Sequence, residues 1–436
     1  MKRSCSLLRK IAVAGLSLAM LLSSSCISSK SIDEYGYATV IGIDSGKTKA
    51  FFVSMLLQRG NGAEEGAESD LCTHVGVESE DLFEAVGLIE SSLPFSLNLS
   101  RTAAIVFGED IALNGGVEQL LSASLGMLNI RYYANLVSVR GRAEDFLGGI
   151  QSELNPNVAK LQYSFVDYSR RTGLIPSFTL SEFFESTFAH SSDILLPLGE
   201  FNPEIKKDSA SENGAKDGGR NNSSAETEKE QSEKGEKEKS SQPLQKAADI
   251  LGSTEYMPGQ IKRLGGLQAS MLGSGLFHKH RLIGYLNGLH TQVVLIVKGQ
   301  FEKGRIQLPL PNGRIISVRL SAQSQPKIRL ILGETPKATF EIALYANVEH
   351  PEIREYSNSD MEILISEFLK KRAEEVFLAC QALGSDVFEL RNTAVKLFRR
   401  TSDWEAFNWE AAFKEVAVAF EIAVYLDYNP SKSSVE

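Results

Sequence analysis

The chain has 436 residues, 42% hydrophobic and 23% charged, the composition of an ordinary globular protein with material for two or three domains. Its formal net charge is −9, and residues 1–25 hold four basic and no acidic groups, so their removal leaves 42 basic against 55 acidic groups, or −13. Such a balance argues against a nucleic-acid partner, which needs a concentrated basic surface.

The first element is a secretory signal: Lys2, Arg3, Arg9 and Lys10 form a basic region ahead of a largely apolar stretch of twelve residues, 11–22. A permanent span takes roughly 20 apolar residues, so cleavage is the better reading. Ser23, Ser24 and Ser25 then supply small residues before Cys26, as in a bacterial lipobox, although Ser23 stands where that motif has Leu and Leu22 lies one step further out. The expectation is a signal peptide over 1–25 and lipidation of Cys26. More than one acyl chain on that cysteine meets the requirement for stable anchoring. The alternative is a secreted protein whose Cys26 is incidental. Cys5 leaves with the signal, and the remaining Cys72 and Cys380 read as two buried free thiols in preference to a disulfide.

The first half alternates strands and helices. Runs 37–43 and 51–57 are β-prone and are separated by Ser45-Gly46-Lys47, a hairpin-like connection, and the polar run 61–70 reads as a loop. Leu82, Val86, Ile89 and Leu93 recur at helical spacing, followed by a strand over 103–107, a helix over 110–125 and a strand over 134–139. From Arg142 the pattern is mostly helical to Glu185, with a break at Pro176. Residues 206–242 carry Lys, Glu, Ser, Asn and Gly with little to bury, so 203–260 is expected to be a charged flexible linker between an N-terminal domain, 26–202, and a C-terminal domain, 261–430.

The second half reads as a β-meander. Ile316, Val318 and Leu320, then Ile328, Leu330 and Leu332, then Phe340 to Val348 alternate apolar and polar residues, with Asn312-Gly313 as a turn. Ser359 and Glu362 suggest a capping box before Met361, Leu364, Ile365, Phe368 and Leu369, an amphipathic helix. Alternation from Val416 to Leu426 predicts a final strand. The fold class is α+β, with mixed, largely antiparallel sheets packed with helices in two or three domains joined by a disordered linker.

Candidates for chemistry are few. His278 and His280 are two apart but lack a third ligand at a convincing spacing, and they read as the exposed turn of a hairpin between Leu276 and Leu282. Asp386, near Gly384, reads as a helix cap. Trp404, Trp409 and Phe413 suggest one helix packed on the final strand. No nucleophile elbow, phosphate loop or dinucleotide fingerprint occurs, so catalytic, metal and cofactor residues are expected to be none.

Several runs together resemble the Ger(x)C family, the C-subunit lipoproteins of bacterial spore germinant receptors. They are 32–44 with a Gly42-Ile43-Asp44 turn, 100–110, 129–141, 176–186, 197–201, 275–288 and 384–390, followed by Trp404, Trp409 and Phe413. Arg101 departs from a His-containing run, and His290-Thr291 stands where Glu-Thr is typical. The resemblance implies a non-enzymatic subunit, lipid-anchored on the outer face of the spore inner membrane. Its implied partners are an A-type and a B-type membrane subunit. The alternative class is a membrane-anchored extracytoplasmic solute-binding lipoprotein; a cell-wall enzyme would need a catalytic site not seen here.

Overall fold

The computed structural model describes residues 35–59, 73–118, 121, 128–150, 161–188, 193–205, 249–252, 256–263, 265–348 and 356–426. The signal, Cys26, the 61–70 loop, Cys72 and the 206–242 stretch lie outside the described residues. The α+β expectation holds, with two sheets and helices packed on them.

The first sheet is built on β1 (Tyr35–Ser45), buried along nearly its whole length. β1 pairs antiparallel with β2 (Phe51–Arg59), which pairs with β3 (Thr73–Ser79), and the turn after Ser45 closes the expected hairpin. On its other edge β1 is parallel to β4 (Ser96–Asn98) and β5 (Ala104–Phe107). The parallel set continues through β6 (Asn135–Arg140) and β7 (Asp193–Phe201), and β8 (Ala269–His278) and β9 (Arg281–Leu286) complete the sheet antiparallel. Gly42-Ile43-Asp44 lies inside β1 and is no turn. At the strand's end the buried Asp44 carboxylate accepts from the Ala143 and Glu144 amides at 2.7 and 2.9 Å. Those amides open a helix, so the acidic group pins the strand end to the positive end of the helix dipole.

Parallel strands need crossover connections, and helices supply them. α1 (Leu82–Glu90) is capped by Asp81 and buries Leu82, Ala85 and Ile89. α2 (Glu109–Asn114) covers the start of the 110–125 helix expected; Gly115 at φ 78° breaks it with a left-handed residue, and helix resumes over 116–118 and at 121. α3 (Ala143–Ile150), α4 (Leu161–Thr172) and α5 (Leu180–Phe188) form the helical part expected after Arg142.

Residues 206–248 enter between β7 and β8, which are hydrogen-bonded neighbours, so the first sheet continues across the charged stretch. α6 (Gly288–Lys298) then leads from that sheet to the next. Its residues 288–297 are buried all round, as expected of a helix clasped on every side.

The second sheet corrects the meander. β10 (Lys303–Pro309) pairs with β11 (Ile315–Ala322) across the Asn312-Gly313 turn. β11 and β12 (Lys327–Ile331), however, are not paired neighbours. They lie end to end along one edge of β13 (Lys337–Val348), with Ala322 opposite Leu344 and Lys327 opposite Glu341. Five steps on one strand face three on the other, so two residues are surplus within 323–326 and bulge out. Pro326, with no amide hydrogen to give the ladder, stands at the break.

α7 (Asn358–Ala382) covers the inner face of this sheet with Met361, Ile365, Leu369, Ala373, Val376, Phe377 and Cys380. Each large side chain among them contributes about 1.5–3 kcal/mol by leaving water. Its capping box is Ser357 with Asp360, two residues before the pair expected from sequence. Two short helices, α8 (Leu390–Val395) and α9 (Thr401–Glu405), precede α10 (Trp409–Lys414) and the final strand β14 (Ala417–Leu426), which runs parallel to β13. Trp404 and Trp409 thus sit on separate helices; Asn408 caps the second by accepting from the Ala411 amide at 3.1 Å. The aromatic packing expected there is present: Phe413 lies against Phe377, ring centroids 5.9 Å apart, and Phe377 against Phe420 of β14 at 6.3 Å.

Candidate functional site

The candidate site is the polar junction where the ends of β7 and β8 in the first sheet meet the turn that follows α7. α7 ends in a Schellman motif: the Gly384 amide donates to the Gln381 carbonyl and the Ser385 amide to the Cys380 carbonyl, both at 2.9 Å, with Gly384 at φ 72°. The turn delivers Ser385 and Asp386 to Asp193, the first residue of β7. There the Asp386 amide donates to Asp193 Oδ2 at 3.0 Å and the Ser385 hydroxyl to Oδ1 at 3.4 Å. His278, at the end of β8, places Nδ1 2.5 Å from Asp193 Oδ1. Asp193 therefore holds β8 and the α7 turn at once.

The Asp386 carboxylate accepts from the Leu390 and Arg391 amides at 3.0 and 2.7 Å, which start α8, and from Trp409 Nε1 at 3.3 Å. The capping role expected for Asp386 is thus its geometry. Burial pushes its pKa up to about 7, against the lowering effect of the two amides and with a further upward push from Asp193. Buried Cys380 is a free thiol, its pKa driven up by burial and then by the two aspartates, so it is held protonated and unreactive. Two ion pairs flank the junction, Lys279 to Glu410 and Lys298 to Glu389, each at 2.7 Å.

His280 corrects the picture of an exposed turn. The hairpin is there, with Lys279 and His280 at φ 51° and 58°, the left-handed geometry of a two-residue turn. His280 is nevertheless buried. Its Nδ1 lies 2.9 Å from Glu118 Oε2, its Nε2 lies 3.2 Å from the Thr187 hydroxyl, and its ring packs on Phe183 at 4.9 Å. The two histidines therefore serve different neighbours. Among the described residues, no group of three His, Cys, Asp or Glu could hold a metal ion.

Asp193, His278 and Ser385 include the residue types of a hydrolase triad, but the order of contacts differs. The serine hydroxyl is directed at the aspartate and not at the imidazole, so the serine–histidine contact of a triad is not formed. What the arrangement can do is join two structural units through charge-assisted hydrogen bonds. Sequence reasoning singled out His278, Asp386 and Trp409 and missed Asp193; its signal was an isolated acid immediately before the apolar run 194–198.

Comparison with known families places these residues. Residues 28–200 match the spore germination protein N-terminal domain, and residues 272–429 match the C-terminal domain described as spore germination B3/GerAC like. The chain belongs to the Ger(x)C family. Asp193 lies in the first matched segment, and His278, Asp386 and Trp409 lie in the second, so the junction joins the two parts of the Ger(x)C protein. The crystal structure of the GerBC protein is similar, with 14% identity, a TM-score of 0.48, and coverage of 88% of this chain and 96% of that one. No curated protein sequence matches. Among the described residues no helix of the Ger(x)C protein is long and apolar enough to cross a membrane.

Proposed function

We propose that this Ger(x)C protein is the C-type subunit of a spore germinant receptor, acting by contact with an A-type and a B-type membrane subunit and not by catalysis. The observation that carries the reading is the match to both spore-germination domains in order along one chain. In this reading residues 1–25 are a lipoprotein signal peptide, and acylated Cys26 tethers the protein to the outer face of the spore inner membrane. Residues 26–202 and 261–430 are then the two receptor-subunit domains, and 203–260 is a charged linker. The junction at Asp193 fits a structural role for these residues, because its polar groups are spent on holding the two parts together.

Deletion of the gene is expected to abolish the response to one class of germinant while leaving other spore properties intact; an unchanged response to every germinant refutes the reading. For the tether, Cys26→Ala is expected to move the protein from the membrane to the soluble fraction and to abolish palmitate labelling. Continued tight attachment of that variant rules out lipidation as the anchor.

A further inference from the structure

Among the described residues, the second sheet is covered on one face only. Its inner residues pack on α6 and α7, while the outward positions of its strands form an uncovered surface. The pairings place these positions side by side: Arg305 opposite Arg319, Lys327 opposite Glu341, Lys337 opposite Ala417, and Tyr345 opposite Tyr425. Outward on the five strands stand Lys303, Arg305, Arg319, Lys327, Arg329 and Lys337, all exposed. Among the described residues two acids share that face, Glu341 and Glu421, and Arg329 forms an ion pair with Glu341. Six cations against two anions make the face +4 in a chain whose formal charge is −9.

Large apolar groups stand among these cations. Ile315 and Ile331 are 66% and 67% exposed, and Tyr345 and Tyr425 stand out at 43% and 47%. Aliphatic tips and tyrosine rings interleaved with lysine and arginine suit a surface that is anionic outside and apolar just beneath, which is the makeup of a bilayer headgroup region. A purely acidic protein patch would match the charge but leave the isoleucines unmatched. The chain's own 206–248 stretch holds nine basic and nine acidic residues, so with no net charge it does not complement the face.

We propose that the outer face of the second sheet docks on an anionic lipid bilayer. The proposal deepens the tethering reading and rests on it, since an anchored chain holds this face within reach of the membrane. Docking would fix which way the protein faces once it is attached.

The test uses the full lipoprotein with Cys72→Ser and a depth-sensitive fluorophore at Ile331→Cys, reconstituted with phosphatidylcholine vesicles with or without phosphatidylglycerol. A reference label at Phe83→Cys reports on α1, on the other sheet. Expected is quenching of the Ile331 label by lipid-borne quenchers only in the anionic vesicles. That quenching should vanish in about 1 M salt, where the Debye length is about 3 Å, and in a variant with Lys303→Glu, Arg305→Glu and Lys327→Glu. The salt arm uses the parent charges and stands whether or not that variant folds.

A chain that sediments with both vesicle types while the Ile331 label stays in water keeps the tether and overturns the docking. Failure to sediment with either overturns both. Equal quenching at Phe83, or shielding of Ile331 without vesicles, also overturns the proposal, the latter by assigning the face to protein.

Discussion

His290 and Asp386 are buried ionisable groups whose environments shift them in opposite directions. His290 lies in the clasped helix α6 with an unsatisfied Nδ1, and burial followed by the nearby Arg372 charge lowers its pKa to about 4. The unfolded chain takes up that proton near pH 6.5, so this group makes stability fall as the pH drops from about 6.5 to about 4. Asp386 does the reverse: its folded pKa of about 7 lies above the ordinary carboxylate value of 3.8, so its contribution to stability falls as the pH rises from about 4 to about 7. The two slopes oppose each other over one window. Relative to the parent chain, His290→Leu is therefore expected to lose stability more steeply as pH rises, and Asp386→Asn to lose it more steeply as pH falls. Urea unfolding at about pH 4.5 and about pH 6.5 reads both slopes; parallel pH profiles for parent and variants would refute the assignment. Sequence identified Asp386 as a cap but could not foresee its altered acidity, which depends on burial against Trp409 and on Asp193, nearly two hundred residues away.

At the scale of elements, the apolar patterns located β1, β2, β5, β6 and β11 to β14 and the β8–β9 hairpin, missed β3, β4, β7 and β10, and left the choice of neighbour open. Ile316, Val318 and Leu320 share a face with Ile328, Leu330 and Leu332 whether the two runs pair or lie end to end, because period two reports faces and not partners. The structure lays them end to end along β13, with two surplus residues at the break. That count gives a test. Removing both Ser324 and Gln325 leaves β12 opposite the same β13 residues, so the fold and most of the stability should survive. Removing Gln323 as well leaves the line one residue short, which slips β12 by one and turns Ile328 and Leu330 outward; this should produce the larger loss in a thermal melt followed by circular dichroism. If the triple deletion were no worse than the double one, the end-to-end arrangement would be wrong. The capping box shows the same limit, since Ser359 and Glu362 match the pattern and yet Ser357 and Asp360 make the bonds.

For the whole molecule, the question is whether two sheets make two independent bodies. One hydrophobic cluster runs from Leu195, Leu276 and Leu286 of the first sheet through Val294 and Leu295 of α6 to Phe340 and Phe420 of the second. The polar contacts of Asp193 close the same boundary. Shared apolar burial couples unfolding, so calorimetry is expected to show one cooperative transition across both sheets. Two well-separated transitions would show that the junction does not transmit stability.

The chain's own order of residues determined the α+β class, the location of most strands and helices, the aromatic packing before the last strand and the family resemblance. These are local matters, written in periodicity, capping residues and short runs. Tertiary structure alone decided the parallel order of β1, β5, β6 and β7, the end-to-end course of β11 and β12, the burial of His280 and the meeting of Asp193, His278 and Asp386. Each of those depends on which distant surfaces remove the most apolar area from water while keeping polar groups bonded, a sum over the whole chain that no short window contains.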